Sequence, residues 1–262
     1  MIDARLQAAL REKYNRDGSP LRDLQLRQLE ILRRVDALCR RHNIDYWLEG
    51  GTLLGAVRHG GFIPWDDDLD IEVRYEDFHR LCRLISEELH DCGLRLQTHA
   101  TDRNYFIPFA KVRECDSKYE EKSRLDREYL YKGAFIDIFP MEPVVPVLSE
   151  FVAKIYNFNH NYCRRYWIKH TVWHIGQAAA SLMRKITPRS SALNPVYGAY
   201  WISNVTPEMI FPLSEIEFEG YMFKAPKDPD VFLTHMFGDY MQLPEEAGRM
   251  THYDFTDNES EA

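Results

Sequence analysis

Cysteine is scarce and unorganised in this 262-residue chain: Cys39, Cys82, Cys92, Cys115 and Cys163 lie far apart, with no CxxC pair. That excludes a disulfide framework and a thiolate zinc site, and it suits a reducing compartment. A basic excess is missing too. The chain has 33 Lys+Arg against 41 Asp+Glu, a formal charge of −8, which argues against a nucleic-acid partner. No apolar run approaches the roughly 20 residues that span a bilayer. The opening Met1-Ile2-Asp3-Ala4-Arg5 has an early acid where a signal peptide would carry an apolar core. A cytoplasmic location is therefore expected. Repeats and low-complexity blocks are also lacking. What is present, 45% hydrophobic and 13% aromatic residues, is ample for a packed core.

Residues 1–16 are predicted helical, with Asp17-Gly18-Ser19-Pro20 as a stop. Leu24, Ile31, Leu32, Val35 and Leu38 recur mostly at helical spacing across 21–42. Short strands are expected at 44–48, 69–73, 94–98 and 105–113, and at 135–139, where Pro140 would stop the last. A helix over 75–90 and a helical stretch over 148–186 complete the middle of the chain. Further on, strands at 216–218 and 221–223 precede a helix near 229–237. Strands follow at both hairpin and crossover spacings, so the expected class is α+β with a mixed sheet. The expected organisation is an N-terminal extension (1–20), a core (21–147), a helical insertion (148–195), a further part of the core (196–252) and an acidic tail (253–262).

The densest chemical signal is Trp65-Asp66-Asp67-Asp68-Leu69-Asp70-Ile71-Glu72-Val73. Side chains alternate along a strand, so Asp68, Asp70 and Glu72 share one face and Leu69, Ile71 and Val73 the other. Carboxylates two residues apart can converge on one cation or on a close pair of ions. Without a cation they repel and raise one another's pKa. All-oxygen ligands suit magnesium or manganese. The competing reading is an acidic turn capping a helix, but the branched apolar strand that carries the acids argues against it. An EF-hand is excluded, since counting from Asp66 puts Ile71 at the glycine position and Asp77 at the final glutamate position. Asp137, inside Phe135-Ile136-Asp137-Ile138-Phe139, is an acid in an apolar strand. Such acids either ligate a metal or pair with a buried cation. Gly50, Gly51 and Thr52 precede a turn or helix start and could offer N–H groups and a hydroxyl to a phosphate.

Three stretches carry a family resemblance: 49–70, with Gly51-Thr52-Leu53-Leu54-Gly55-Ala56-Val57-Arg58-His59 and Trp65-Asp66-Asp67-Asp68-Leu69-Asp70; Phe135-Ile136-Asp137-Ile138-Phe139-Pro140; and Phe237-Gly238-Asp239-Tyr240-Met241-Gln242-Leu243-Pro244. A Gly-Gly turn, a DxD on a strand and a third acid on a later strand resemble the nucleotidyltransferase (polymerase β-like) superfamily. More narrowly, the chain resembles the LicD family, phosphotransferases related to choline-phosphate transferases and to fukutin-type enzymes. The resemblance runs in order from about residue 22 to 252.

What this implies is a nucleotidyltransferase-like mixed sheet flanked by helices. It also implies metal-dependent transfer of a phospho-alcohol, phosphocholine-like, from a CDP-activated donor to a sugar hydroxyl of a cell-surface glycan such as lipopolysaccharide, or of its lipid-linked precursor. Asp68, Asp70 and Asp137 would be the catalytic and metal-binding acids, with Mg2+ or Mn2+ as cofactor. Lys111 and Arg113 match a basic pair that would neutralise the diphosphate, or are ordinary strand-edge charges. Arg58 is another phosphate candidate, Asp239 a substrate contact or a turn residue, and Glu49 and His252 stand between site and scaffold. Two rival readings are nucleotidyl transfer from an NTP and an inactive glycan- or membrane-binding protein. The aromatic and basic stretch 148–186, with Trp167, Trp173, Arg164 and Lys169, either packs on the core or makes peripheral contact with the inner membrane face.

Overall fold

The structure, a computed structural model, describes residues 1–117, 119, 126–186, 191–199, 201–246 and 249. Helices α1 (Ala4–Tyr14) and α2 (Pro20–His42) open the chain. The Ser19 hydroxyl caps α2 by accepting the Arg22 N–H, and Pro20 takes the first turn, where its missing N–H costs nothing. Leu24, Ile31, Leu32, Val35 and Leu38 are all buried, as their spacing predicts.

There follow β1 (Tyr46–Leu48), α3 (Gly50–His59), β2 (Asp70–Arg74), α4 (Tyr75–Glu88), β3 (Leu94–Gln97), β4 (Ala110–Glu114) and β5 (Phe135–Glu142). In space the strands run β1-β2-β5-β4-β3, with β2 and β5 parallel and the other neighbours antiparallel. A short β6 (Asn194–Pro195) pairs antiparallel with the end of β5. The fold is α+β with a mixed sheet, as expected. Two strand limits differ most from expectation. β4 starts only at Ala110, and β5 continues through Pro140 to Glu142. β4 pairs with β5 no further than Ile138, so Pro140 lies beyond that ladder, and its carbonyl accepts the Val196 N–H at 3.0 Å.

Strand alternation makes the two sheet faces unlike. Ile71, Val73, Ala110, Val112, Ile136 and Ile138 point into the main core, which α2 and α4 cover. The same core takes in Val205, Phe218, Phe232 and Leu233 from the last quarter of the chain. That part comprises α7 (Pro207–Ile210), the hairpin β7 (Ser214–Phe218) and β8 (Tyr221–Ala225), and α8 (Pro229–Phe237). The hairpin turn residue Glu219 accepts two hydrogen bonds from Arg22, at 2.6 and 3.1 Å, and one from the Phe62 N–H, fixing the hairpin to the core.

The expected helical insertion is a pair, α5 (Pro146–Tyr162) and α6 (Tyr166–Ile186). It has its own apolar cluster of Val144, Val152, Tyr156, Trp173, Ala180 and Tyr197. Arg184 anchors it to the sheet by a fork on Glu142 at 2.6 and 2.7 Å. Trp173 is buried and stacked on Tyr156, and Lys169 is buried and paired with Glu128, so neither faces outward as a surface contact would require. Trp167, Phe158, Tyr162, Ile175 and Leu182 are among the exposed members. Residues 187–190 of the expected insertion, together with His252 and the acidic tail, lie outside the described residues.

Candidate active site

The face of the sheet opposite α2 and α4 carries charge. Register aligns Asp70 with Asp137 across β2 and β5, Asp137 with Lys111 across β5 and β4, and Lys111 with Gln97 across β4 and β3. Glu49, just past β1, donates its N–H to the Asp70 carbonyl and extends this row at its other end. One step along β2, Glu72 is fully buried and accepts from the Trp47 indole at 2.6 Å. Asp68 and Asp66 stand in the segment leading into β2, half-buried beside Asp70.

The electrostatics follow from this crowding. Burial, then the charges of Asp68, Asp137, Glu49 and Asp66, hold Asp70 well above the usual carboxylate range. Burial and Asp68 do the same for Asp66, and push Glu49 up to about 7. Glu72 is raised by burial and by Glu49, against the opposing effect of its Trp47 hydrogen bond. Lys111 brings a positive charge to the row, 3.1 Å from one Asp137 oxygen and 3.2 Å from the other, and lies over the Phe135 ring. A hard divalent cation suits this donor set, since its charge offsets the mutual repulsion of the carboxylates.

Helix α3 begins against the acids. A Cβ on Gly51 would lie 2.8 Å from an Asp66 oxygen, so the carboxylate and the helix start meet at a distance that a side chain would break. Gly50 takes φ +49, a left-handed conformation that suits glycine. Glu49 makes no side-chain cap, and the first-turn N–H groups of a helix lack intrahelical partners. The acids thus lie against a helix start able to hold a phosphate.

Other expected phosphate contacts are engaged elsewhere. The Thr52 hydroxyl accepts the Asp70 N–H at 2.8 Å, which fixes the strand start. Arg58 is buried, donating to His59 and to the carbonyls of Tyr240 and Gln242, so it braces α3 to the turn after α8. Arg113 is fully buried, donating to Gln97 and the Gly133 carbonyl and lying over Phe135. Asp239 is an exposed turn residue whose carbonyl accepts the Gln242 N–H. Of the basic pair, it is Lys111 that is ion-paired to one of the three acids, Asp137.

Two positioning residues went unread in the sequence. Gln25 donates to the Asp66 carbonyl and Gln28 to the Asp67 carbonyl, each at 2.8 Å, so α2 grips the main chain of the acidic segment. Their signal was available: both interrupt the apolar stripe of α2, and both are fully buried.

Residues 43–175 match the family model described as LicD/FKTN/FKRP, nucleotidyltransferase domain. The chain belongs to this family. Over 260 aligned residues it is 28% identical to the lipopolysaccharide cholinephosphotransferase LicD of Haemophilus influenzae, covering 89% of this chain and 96% of that protein. It is 50% identical over 48 residues to the human ribitol 5-phosphate transferase FKRP, and equally to the mouse protein, covering 18% of this chain and 10% of each. The chain is a LicD-like transferase. No helix among its described residues is long and apolar enough to cross a membrane.

Proposed function

We propose that this chain transfers a phospho-alcohol, phosphocholine or a close analogue, from a CDP-activated donor to a hydroxyl of a cell-surface glycan or its lipid-linked precursor. The carrying observation is the row Glu49–Asp70–Asp137–Lys111, with Asp66 and Asp68 beside it, set against the Gly50-Gly51 helix start. The relatives' activities support the chemistry: one is named for cholinephosphate transfer on lipopolysaccharide, another for ribitol 5-phosphate transfer. We further read the mixed sheet as nucleotidyltransferase-like, in line with the family's description.

Asp68, Asp70 and Asp137 would hold Mg2+ or Mn2+, with Glu49 and Asp66 at its margin. When bound, such an ion supplies charge neutralisation on the diphosphate and polarises the attacking oxygen. The remaining work falls to the chain. The N–H groups of Gly50 and Gly51 and the ammonium of Lys111 orient the diphosphate. Thr52 keeps Asp70 at the start of its strand, and Gln25 and Gln28 keep Asp66 and Asp67 on their path. The acceptor oxygen bonds to the phosphorus nearest the alcohol, the bridge to the second phosphorus breaks, and CMP leaves. The hydroxyl proton passes to a carboxylate of the row, Asp70 or Asp137. Catalysis of this kind is chiefly positioning and electrostatics.

The exposed apolar residues of α5 and α6, together with exposed Arg164 and Arg165, fit peripheral contact with an anionic membrane surface, where a lipid-linked acceptor would be met.

The deciding experiment incubates the purified protein and magnesium with CDP-choline, CDP-ethanolamine, CDP-ribitol, CDP-glycerol or CTP. Magnesium-dependent release of CMP from one CDP-alcohol is expected. Pyrophosphate from CTP without CMP from any donor would replace this reading by nucleotidyl transfer. Failure of all five nucleotides to bind would leave a non-catalytic surface protein.

A further inference from the structure

Away from the acidic row, three histidines from two parts of the chain converge. His170 and His174, four residues apart, share one face of α6. His99 comes from the segment between β3 and β4. One ring nitrogen from each lies within 4.8 Å of the others. The Nε2 atoms of His170 and His174 are 3.1 Å apart, close to the roughly 3.3 Å between two ligands held at about 2.0–2.1 Å on a tetrahedral zinc ion. The ring centroids of His99 lie 5.6 and 6.0 Å from those of His170 and His174.

His99 has a polar neighbour in the Tyr105 backbone, yet its Nδ1 is buried without a well-formed hydrogen bond among the described residues, a state a water or an ion would relieve. The three rings line a cavity of about 940 Å³ bounded also by His79, Thr98 and Trp173. His174 is exposed, so ions can reach the cluster from solvent.

We infer that His99, His170 and His174 form a site for a divalent transition metal, zinc by its ligand chemistry, with one coordination position open to the cavity. Neutral imidazole suits zinc, copper and nickel and is a poor choice for magnesium, so the site is chemically distinct from the carboxylate row. Three protein ligands and an open position also leave room for a water or a small anionic group. The ion would tie α6 to the segment after β3, a further anchor beside the Arg184–Glu142 fork and the Lys169–Glu128 pair.

The test uses tag-free, chelator-stripped full-length protein and Co2+ or Zn2+ alone. One equivalent of Co2+ is expected, with a visible spectrum of a nitrogen-ligated, low-coordinate ion that Zn2+ displaces and excess Mg2+ does not. Zinc should raise the melting temperature. His174→Ala, at an exposed position, should weaken binding by at least about 10–100-fold, the loss known even for outer-sphere partners. His170→Ala should do the same, while Asp70→Asn should leave binding unchanged. Absence of stoichiometric uptake would overturn the inference. So would uptake that survives His174→Ala and His170→Ala, or that is lost in Asp70→Asn, because the ion would then belong to the acids.

Discussion

The charged face of the sheet and the outer face of the α5–α6 pair depart from ordinary packing in opposite ways. On the sheet, carboxylates are crowded in and raised in pKa by burial and by one another. On the helix pair, Phe158, Tyr162, Trp167, Ile175 and Leu182 are left in solvent. Buried like charges conflict until a cation arrives, and exposed apolar groups conflict until a surface arrives. The first conflict is local and strong and, under the proposed function, bears on catalysis. The second is spread over many weak contributions and, under the proposed membrane contact, bears on where the enzyme works.

The sharpest way to break this contrast is at the acids. Asp68→Asn and Asp70→Asn should each lower turnover by about 10²–10³-fold or more, the scale of a lost electrostatic contact in a transition state. Circular dichroism and melting should stay near those of the parent chain, since removing a crowded charge relieves repulsion. A variant as active as the parent in a CMP-release assay would end the assignment.

At the join of the two regions, Arg184→Ala strips Glu142 of its fork. A loss of about 2–3 kcal/mol is expected in denaturant unfolding, toward the low end for broken buried pairs because Arg184 keeps 24% of its side chain exposed. An unchanged midpoint would show that the helix pair docks by apolar contacts alone.

pH sharpens the contrast next. The Glu49 carboxyl is raised in the folded state from 4.5 to about 7, so its stabilising share is complete below pH 4.5 and lost as pH rises through about 7. The metal-free protein should therefore lose roughly 3 kcal/mol of stability across that window, and Glu49→Gln should flatten the slope. Melting curves at stepped pH in a chelator check this, and Mg2+ should restore stability at the alkaline end.

A smaller change falls on Gly51→Ala, whose new methyl group must displace the Asp66 carboxylate. Activity should drop about 10-fold, in keeping with the effect of modest misplacement, with little change in melting. Least of all in stability is Trp167→Ser, expected to alter unfolding by less than about 0.5 kcal/mol. It should nonetheless reduce flotation with anionic liposomes, and flotation equal to the parent's would remove Trp167 from the membrane-facing set.

Much of this was legible in the sequence because it is local. The α2 stripe, the alternation around Asp70 and the lone acid at Asp137 each follow from period and residue type alone. The partners of Arg58 and Arg113 are not legible for the converse reason. A guanidinium has the right chemistry for phosphate, but Tyr240, Gln242, Gln97 and Gly133 occupy these two, and no local pattern announces such partners. Pro140 continues β5 only because β4 has already run out beside it. The histidine cluster was half visible: the four-residue spacing of His170 and His174 is a helical signal, whereas His99 joins them only through the fold.

The grip of Gln25 and Gln28 on the acidic segment has a consequence for how this enzyme can change. Both glutamines hold main-chain oxygens, which every amino acid possesses, so this grip does not depend on the side chains at 66 and 67. A side-chain exchange at position 66 leaves these two bonds in place, while a single exchange of Gln25 or Gln28 removes one of them.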